Sequence, residues 1–428
     1  MDITKVTPME TRVYYGEYTL KHWVELMLTK NITLPEYQRH FVWEESDVRR
    51  LMDSLKSGQF IIPVTIAHYN DSLTSKNLIL DGQQRLTSIL LAYLECMPIK
   101  DKFIATEDDL AMGDDSTEEE VGAPMEWTFK KMLGLKSQEN TLSFITERLR
   151  KDDRYCEMKI EFDGKKEEFY ENTYLGFSFI IPENCNPTET QNYFSTLFRH
   201  MNYFGKKLSA LESRRSLYFM NLEYKDYFEG TLENGNDVLC GIKLLENKIP
   251  KKIDFVRYLS MLSQYFFNQN VNKVMVGYSA YSSRESYFAD YVAYLANLDQ
   301  DDRPHKFDGF KMAETFPKNE WKARFETVRT FIEKHKKNLG LEEKANAFTS
   351  WIDTDYWLFG LLYFVVFEGK KITKDSDLID ELKKEIKNKR ELPPADDYSK
   401  NPNRLGNLRD RMKQSIEIYE KYAEQHSF

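Results

Sequence analysis

Long apolar runs are scarce in this sequence. The longest, Trp357 to Phe367, falls far short of the roughly 20 residues that cross a bilayer. Asp353, Asp355, Glu368 and Lys370 flank it, so it reads as a buried helix. Met1 to Leu20 lacks the apolar core of a signal peptide. The expectation is a soluble, cytoplasmic protein with no membrane partner. Cysteine is sparse as well. Cys96, Cys156, Cys185 and Cys240 are too far apart for a zinc knuckle or a redox pair, and read as idle or buried thiols of a reducing compartment. Only 18 glycines occur, which excludes repeat-rich fibrous classes. A basic excess is also missing: 60 Lys and Arg face 69 Asp and Glu, for a net charge of -9. That speaks against non-specific coating of nucleic acid, though a local basic groove stays open.

Apolar and aromatic residues, by contrast, are plentiful. Hydrophobic residues make up 41% and aromatics 14% of 428 residues, enough for a sizeable core. At about 150 residues per domain the length suggests two or three domains. The first 95 residues read as mixed α/β. Leu20, Trp23, Val24 and Met27 have helical spacing. Ser46 suits the N-cap of a helix carrying Val48, Leu51, Met52 and Leu55, with Gly58 placed to end it. Strand-like runs follow at Ile61 to Tyr69 and Asn77 to Leu80. Asp81-Gly82 breaks the second, and Gln83 to Glu95 has an amphipathic helix pattern. Residues 106–122 are acidic and poor in apolar side chains, the pattern of a solvated insertion. Met158 to Phe162 and Glu168 to Tyr170 around Asp163-Gly164 predict a hairpin, and Tyr174 to Ile181 another strand. Beyond Pro187 the periodicity is almost entirely helical. Capping-box patterns stand at Thr188/Gln191 and Ser209/Glu212, and Pro393-Pro394 precedes a last helix over Leu405 to Tyr422.

Three segments have residues suited to chemistry. In Leu34-Pro35-Glu36-Tyr37-Gln38-Arg39, followed by Trp43, the proline enforces an extended approach. Arg39 offers a planar fork for phosphate, and Gln38 both donates and accepts. A surface turn with a solvated arginine explains the same residues. The second segment is Asp81-Gly82-Gln83-Gln84-Arg85-Leu86-Thr87. Its glycine lets backbone amides approach a ligand. The helix that follows points N–H groups and a positive dipole end there, a ready anion site. Arg85 can neutralise phosphate, and Asp81 can hold Mg²⁺ directly or through water. An ordinary strand-turn-helix connection with Asp81 as cap is the competing account. The third segment runs from Phe198 to Ser209. Asn202 and Gly205 look like a helix exit, with Lys206 and Lys207 beyond it. Basic residues recur at Arg214, Arg215, Lys248, Lys251, Lys252 and Arg257, read either as solvated charges or as an anionic-ligand surface.

Together the three segments resemble the N-terminal domain shared by the GmrSD type IV restriction systems and their relatives. Pro35, Tyr37, Gln38, Arg39 and Trp43 match the first motif, Asp81 to Thr87 the second without exception, and Phe198, Asn202, Gly205, Leu208 and Ser209 the third. Tyr203-Phe204 replaces the small residues usual in the third. The resemblance covers roughly residues 15 to 215. It implies a ParB-like/sulfiredoxin-like domain over residues 1–210, binding a nucleoside triphosphate with Mg²⁺; with the mostly α-helical domain that the periodicity predicts over 211–428, the expected class is α+β. Carried over residue by residue, the nucleotide-binding set is Tyr37, Gln38, Arg39, Gly82, Gln83, Gln84, Arg85, Thr87 and Asn202. Asp81, Gln84 and Arg85 are the catalytic candidates, with Asp81 on the metal and Gln84 orienting a water. Relatives hydrolyse the nucleotide to control recognition or cleavage of modified phage DNA, so DNA and a nuclease subunit in trans are implied partners. Many relatives also carry an HNH nuclease. Here His305, His335 and His426 are the histidines of the last half, and none follows Glu or Asp before an apolar strand. No nuclease is expected in this chain. Three readings remain: a Mg²⁺-dependent NTPase of a defence system, a nucleotide-gated module that does not turn over, and a scaffold with a vestigial pocket.

Overall fold

The computed structural model describes residues 11–35, 40–70, 75–103, 125, 127–133, 140–183, 193, 197, 210–218, 222–246, 248–276, 284–296 and 306–424. The acidic segment 106–122, Tyr37 to Arg39, the Thr188/Gln191 and Ser209 caps, Asn202 and Cys185 lie outside them. The protein is α+β. It divides into two compact units, one built from residues 1–105 and 121–220, the other continuing from residue 221.

The first unit is organised on a five-stranded mixed sheet. Its strands are β1 (Thr11–Thr19), β2 (Ile32–Thr33), β3 (Val64–Asn70), β4 (Ser75–Asp81) and, after the short pair β5 (Cys96–Pro98) and β6 (Tyr155–Glu157), β7 (Tyr174–Pro182). The sheet order is β1-β7-β3-β4-β2. β1 runs antiparallel to β7 and β3 antiparallel to β4, whereas β3 with β7 and β2 with β4 are parallel. One face is covered by α1 (Leu20–Leu28), α2 (Glu45–Lys56) and α3 (Gln83–Leu94). Trp23, Met27, Val48, Met52, Ile66, Ile79, Leu86, Ile89 and Leu90 belong to that core. On the other face Ala67, Leu78, Leu80 and Ile180 form a smaller cluster with Tyr193 and Leu197 packed on it.

Local chemistry explains the element starts. Thr19 caps α1 by accepting from the His22 amide at 3.2 Å. α2 begins two residues earlier than its serine suggests. Glu44 is the N-cap, and its amide donates to the Asp47 carboxylate at 3.2 Å, so Ser46 falls inside the first turn. α3 departs from its amphipathic reading. Every residue from Gln83 to Leu94 is buried except Arg85, because α1, α2 and Tyr170 of the following 166–172 helix all pack on it.

The hairpin expected around Asp163-Gly164 does not form. Lys166–Asn172 is a helix, α6, after the short α4 (Phe129–Met132) and α5 (Leu142–Lys151). A helix brings positions i, i+3 and i+4 to one face. Lys166 there reaches Glu95 at 2.8 Å, Phe169 packs on Phe162 at 5.1 Å between ring centroids, and the Tyr170 hydroxyl donates to Ile89 O at 3.0 Å. A strand would send Phe169 and Tyr170 to opposite sides.

The second unit is mostly helical, as its periodicity predicts. Its long helices span Phe255–Asn268, Arg284–Leu295, Trp321–His335, Trp351–Leu362, Asp375–Arg390 and Leu405–Glu420. Short strands interrupt them, within the mostly helical expectation: β8 (Lys243–Glu246), β9 (Ile249–Lys252) and β10 (Ala347–Phe348) in one sheet, and β11 (Lys371–Ile372) with β12 (Ala423–Glu424). The apolar run is buried throughout, and its last turn, Tyr363–Phe367, is a π-helix. Gly360 lets the Trp351–Leu362 and Leu405–Glu420 helices close up. A Cβ there would lie 2.2 Å from the Tyr419 ring, and the Gly360 amide donates to Ser415 Oγ at 2.9 Å. Among the described residues no helix is long and apolar enough to cross a membrane.

Candidate functional site

β4 ends at Asp81 and α3 starts at Gln83, so one residue makes the whole turn. That residue, Gly82, has φ +90° and ψ 10°, in the region L side chains avoid. It is also crowded, since a Cβ would lie 2.4 Å from Val64 Cγ1. Only glycine fits on both counts. Gly82 is the N-cap but supplies no capping side chain, and the first helical bond runs from the Leu86 amide to Gly82 O at 2.9 Å. The first turn of α3 therefore presents backbone N–H groups and a positive dipole end where β4 stops.

Arg85 is the one residue of that helix that is not buried. Its Nη2 donates to Asp81 Oδ2 at 2.6 Å, and its Nη1 donates to the carbonyls of Ile62 and Pro63. The side chain of Arg85 is 14% exposed and that of Asp81 44%. The carboxylate thus faces solvent beside the turn while holding the guanidinium. Gln84 is buried, and both ends of its amide are engaged. Nε2 donates to His40 O at 3.0 Å, and Oε1 accepts from the Val42 amide at 3.0 Å. The Phe41 amide, between them, donates to Trp127 O at 2.7 Å, and the two rings pack edge to face at 5.7 Å. Gln84 therefore bolts the chain just beyond Arg39 to the first turn of α3. Nothing local predicts this, because the partners are backbone groups more than forty residues away.

Of the expected site residues, Asp81, Gly82, Gln83, Gln84 and Arg85 converge on the turn. Gln83 is 4% exposed. Thr87 is fully enclosed within the packing surface of α3. Tyr37, Gln38, Arg39 and Asn202 are outside the described residues. Among the described residues no three His, Cys, Asp or Glu side chains gather as a metal site. A lone carboxylate suits Mg²⁺ that arrives with phosphate, since that ion takes few protein ligands. Three of the basic residues weighed for an anionic-ligand surface are committed within the fold. Arg214 is fully buried and donates to the Tyr218 hydroxyl at 3.2 Å. Arg257 is buried against Asp355, and Lys251 pairs with Glu246 at 3.3 Å.

Residues 22–219 match the family model of the GmrSD restriction endonuclease, N-terminal domain. Over 194 residues the chain is 29% identical to an uncharacterized protein of Methanocaldococcus jannaschii, a stretch that covers 40% of this chain and 32% of that relative. The chain thus spans about a third of the length of the curated relative it matches. The matched residues fall largely within the first unit.

Proposed function

We propose that the GmrSD N-terminal domain of this chain binds a Mg²⁺–nucleoside triphosphate at the Asp81–Arg85 turn and serves a restriction-type system. The observation that carries the reading is the uncapped start of α3 at a glycine that no other residue can replace, with a charged Asp–Arg pair beside it. Amides of the first turn would hold phosphate oxygens. Arg85 would leave Asp81 for phosphate, and Asp81 would turn to Mg²⁺. The exchange balances charge, and the Asp81 carboxylate, 44% exposed, is open to water on the side away from Arg85. The family resemblance adds Tyr37, Gln38, Arg39 and Asn202 to the nucleotide set, a ParB-like/sulfiredoxin-like fold for the domain, and DNA and a nuclease subunit as partners.

A second reading, binding without turnover, is favoured by Gln84. Its amide is committed to His40 and Val42, so it holds the site together rather than orienting a water. The role of Gln84 in this proposal is accordingly structural. Hydrolysis would then rest on positioning and electrostatics alone.

Calorimetry with Mg²⁺ and each of the four ribonucleoside triphosphates tests binding, and a phosphate-release assay separates the two readings. Arg85→Ala is expected to weaken binding at least tenfold, about 1.4 kcal/mol, with the fold intact. Equal affinity in variant and parent removes Arg85 from the site.

A further inference from the structure

The segment that connects α2 to β3 is unusual for what it exposes. Phe60 is 84% exposed, more than any other large hydrophobic side chain among the described residues, and Ile62 is 66% exposed. Ile61 between them packs against the main core. Alternation of this kind in extended chain puts Phe60 and Ile62 on the same, outward side. The segment is also held. The Gly58 and Gln59 amides donate back to Leu55 O and Ser54 O at 3.2 and 2.9 Å. At the other end the carbonyls of Ile62 and Pro63 accept from Arg85, and Val64 presses on Gly82. Two residues of extended chain span at most about 7 Å, so Phe60 stands within one short stride of the guanidinium.

The same few residues therefore offer a cation with helix amides at one end and a bare aromatic face at the other. A free phosphate has no use for the second end. A nucleotide does, because its base is a flat, largely apolar surface attached to its phosphates. We propose that Phe60, flanked by Ile62, is the stacking platform for the base of the nucleotide whose phosphates occupy the Asp81–Arg85 turn. This rests on the phosphate-binding reading above and adds the part of the ligand that reading leaves open. Stacking accepts any base face, so Phe60 contributes affinity for nucleotide over phosphate and little choice among bases. The platform is already in place before binding, and little ordering is required when the base arrives.

The experiment compares two probes on the full chain, each with Mg²⁺: the ribonucleoside triphosphate that binds best, and inorganic tripolyphosphate, which has the phosphates but no base. For Phe60→Ala the expectation is a loss of roughly tenfold or more in nucleotide affinity. Tripolyphosphate affinity and the unfolding temperature should match the parent. Phe60→Trp should retain or improve nucleotide binding. Unchanged nucleotide affinity in Phe60→Ala overturns the platform while leaving the phosphate site standing. An equal loss for both probes also overturns it, because Phe60 would then merely support the loop. If the parent binds neither probe, the phosphate reading fails and the platform falls with it.

Discussion

Each unit contains an Asp–Arg pair at short range, and the two pairs do opposite things. In the first unit Asp81 and Arg85 meet at 2.6 Å, with 44% and 14% of their side chains exposed. In the second, Asp355 is fully enclosed. It accepts from Arg257 at 2.5 and 3.0 Å, from Arg411 at 2.9 Å and from the Tyr258 hydroxyl at 2.9 Å. The Arg257 guanidinium also lies 4.1 Å from the Trp351 ring centroid. The chemistry is the same and the solvent is not. Water reaches the Asp81 carboxylate of the first pair, so that carboxylate can be reassigned to a ligand at smaller cost than a fully buried one. Nothing replaces a partner of Asp355, so that cluster is committed to holding helices together.

The comparison breaks first, and most severely, at Asp355. Asp355→Asn would strand two buried arginines, and a loss of roughly 3–5 kcal/mol is expected. Urea denaturation measures it, and hydrogen exchange at the Trp351–Leu362 amides locates it. Asp353, two residues away, is pushed up by burial in spite of Arg390, Thr349 and Ser350, so its charge is already disfavoured. Asp353→Asn should stay within about 1 kcal/mol of the parent. Equal effects from the two substitutions would show that the arginine cluster is not what stabilises the unit.

The first unit has its own rigid point, which sharpens the contrast. Gly82→Ala faces a left-handed backbone, costing about 1–2 kcal/mol, and an overlap with Val64 of similar size. The expected total is about 2–4 kcal/mol. Adding Val64→Ala should recover the overlap but not the backbone share. Full recovery would mean that the turn tolerates a side chain. The Asp–Arg pair beside this turn is replaceable, whereas the turn itself is not.

Acid should separate the units next. Burial pushes the Asp355 carboxyl up, but the Arg257 and Arg411 charges together outweigh it and hold the group below its ordinary value. Asp375 is lowered too, its burial outweighed by Lys334 and His335. A carboxyl with a depressed folded pKa contributes fully above its unfolded pKa, near 3.9, and loses that contribution as pH falls toward the folded value. The second unit should therefore lose stability below about pH 4. Exchange protection of the Trp351–Leu362 amides that is flat from pH 6 to pH 3 would contradict this. The smallest effect concerns the exposed site. Arg39→Ala and Arg85→Ala should be non-additive in nucleotide affinity by more than about 0.3 kcal/mol. Strict additivity would put Arg39 at a different place from the turn.

Legibility followed the range of the forces involved. The strand, glycine turn and helix around Asp81 to Arg85 were readable because glycine placement and apolar spacing act within a few residues. The helices of the second unit were readable for the same reason. The Asp163-Gly164 hairpin was misread because its flanking residues suit either a strand or a helix. The choice fell to Glu95, Phe162 and Ile89, which meet α6 only in the folded chain.

By itself, then, the sequence determined the α+β class, the order of most elements and the one place where β4 could turn into α3. It also marked Arg85 as a cation at that turn. Only the tertiary structure decided what the side chains do there. It tied Gln84 to the backbone at His40 and Val42, enclosed Thr87, left Phe60 in solvent and buried Asp355 between two arginines. The reason is that propensity and spacing are properties of neighbouring residues. Burial depends on what distant segments bring to the same point, and burial decides whether a polar group is available to a ligand or held in the structure.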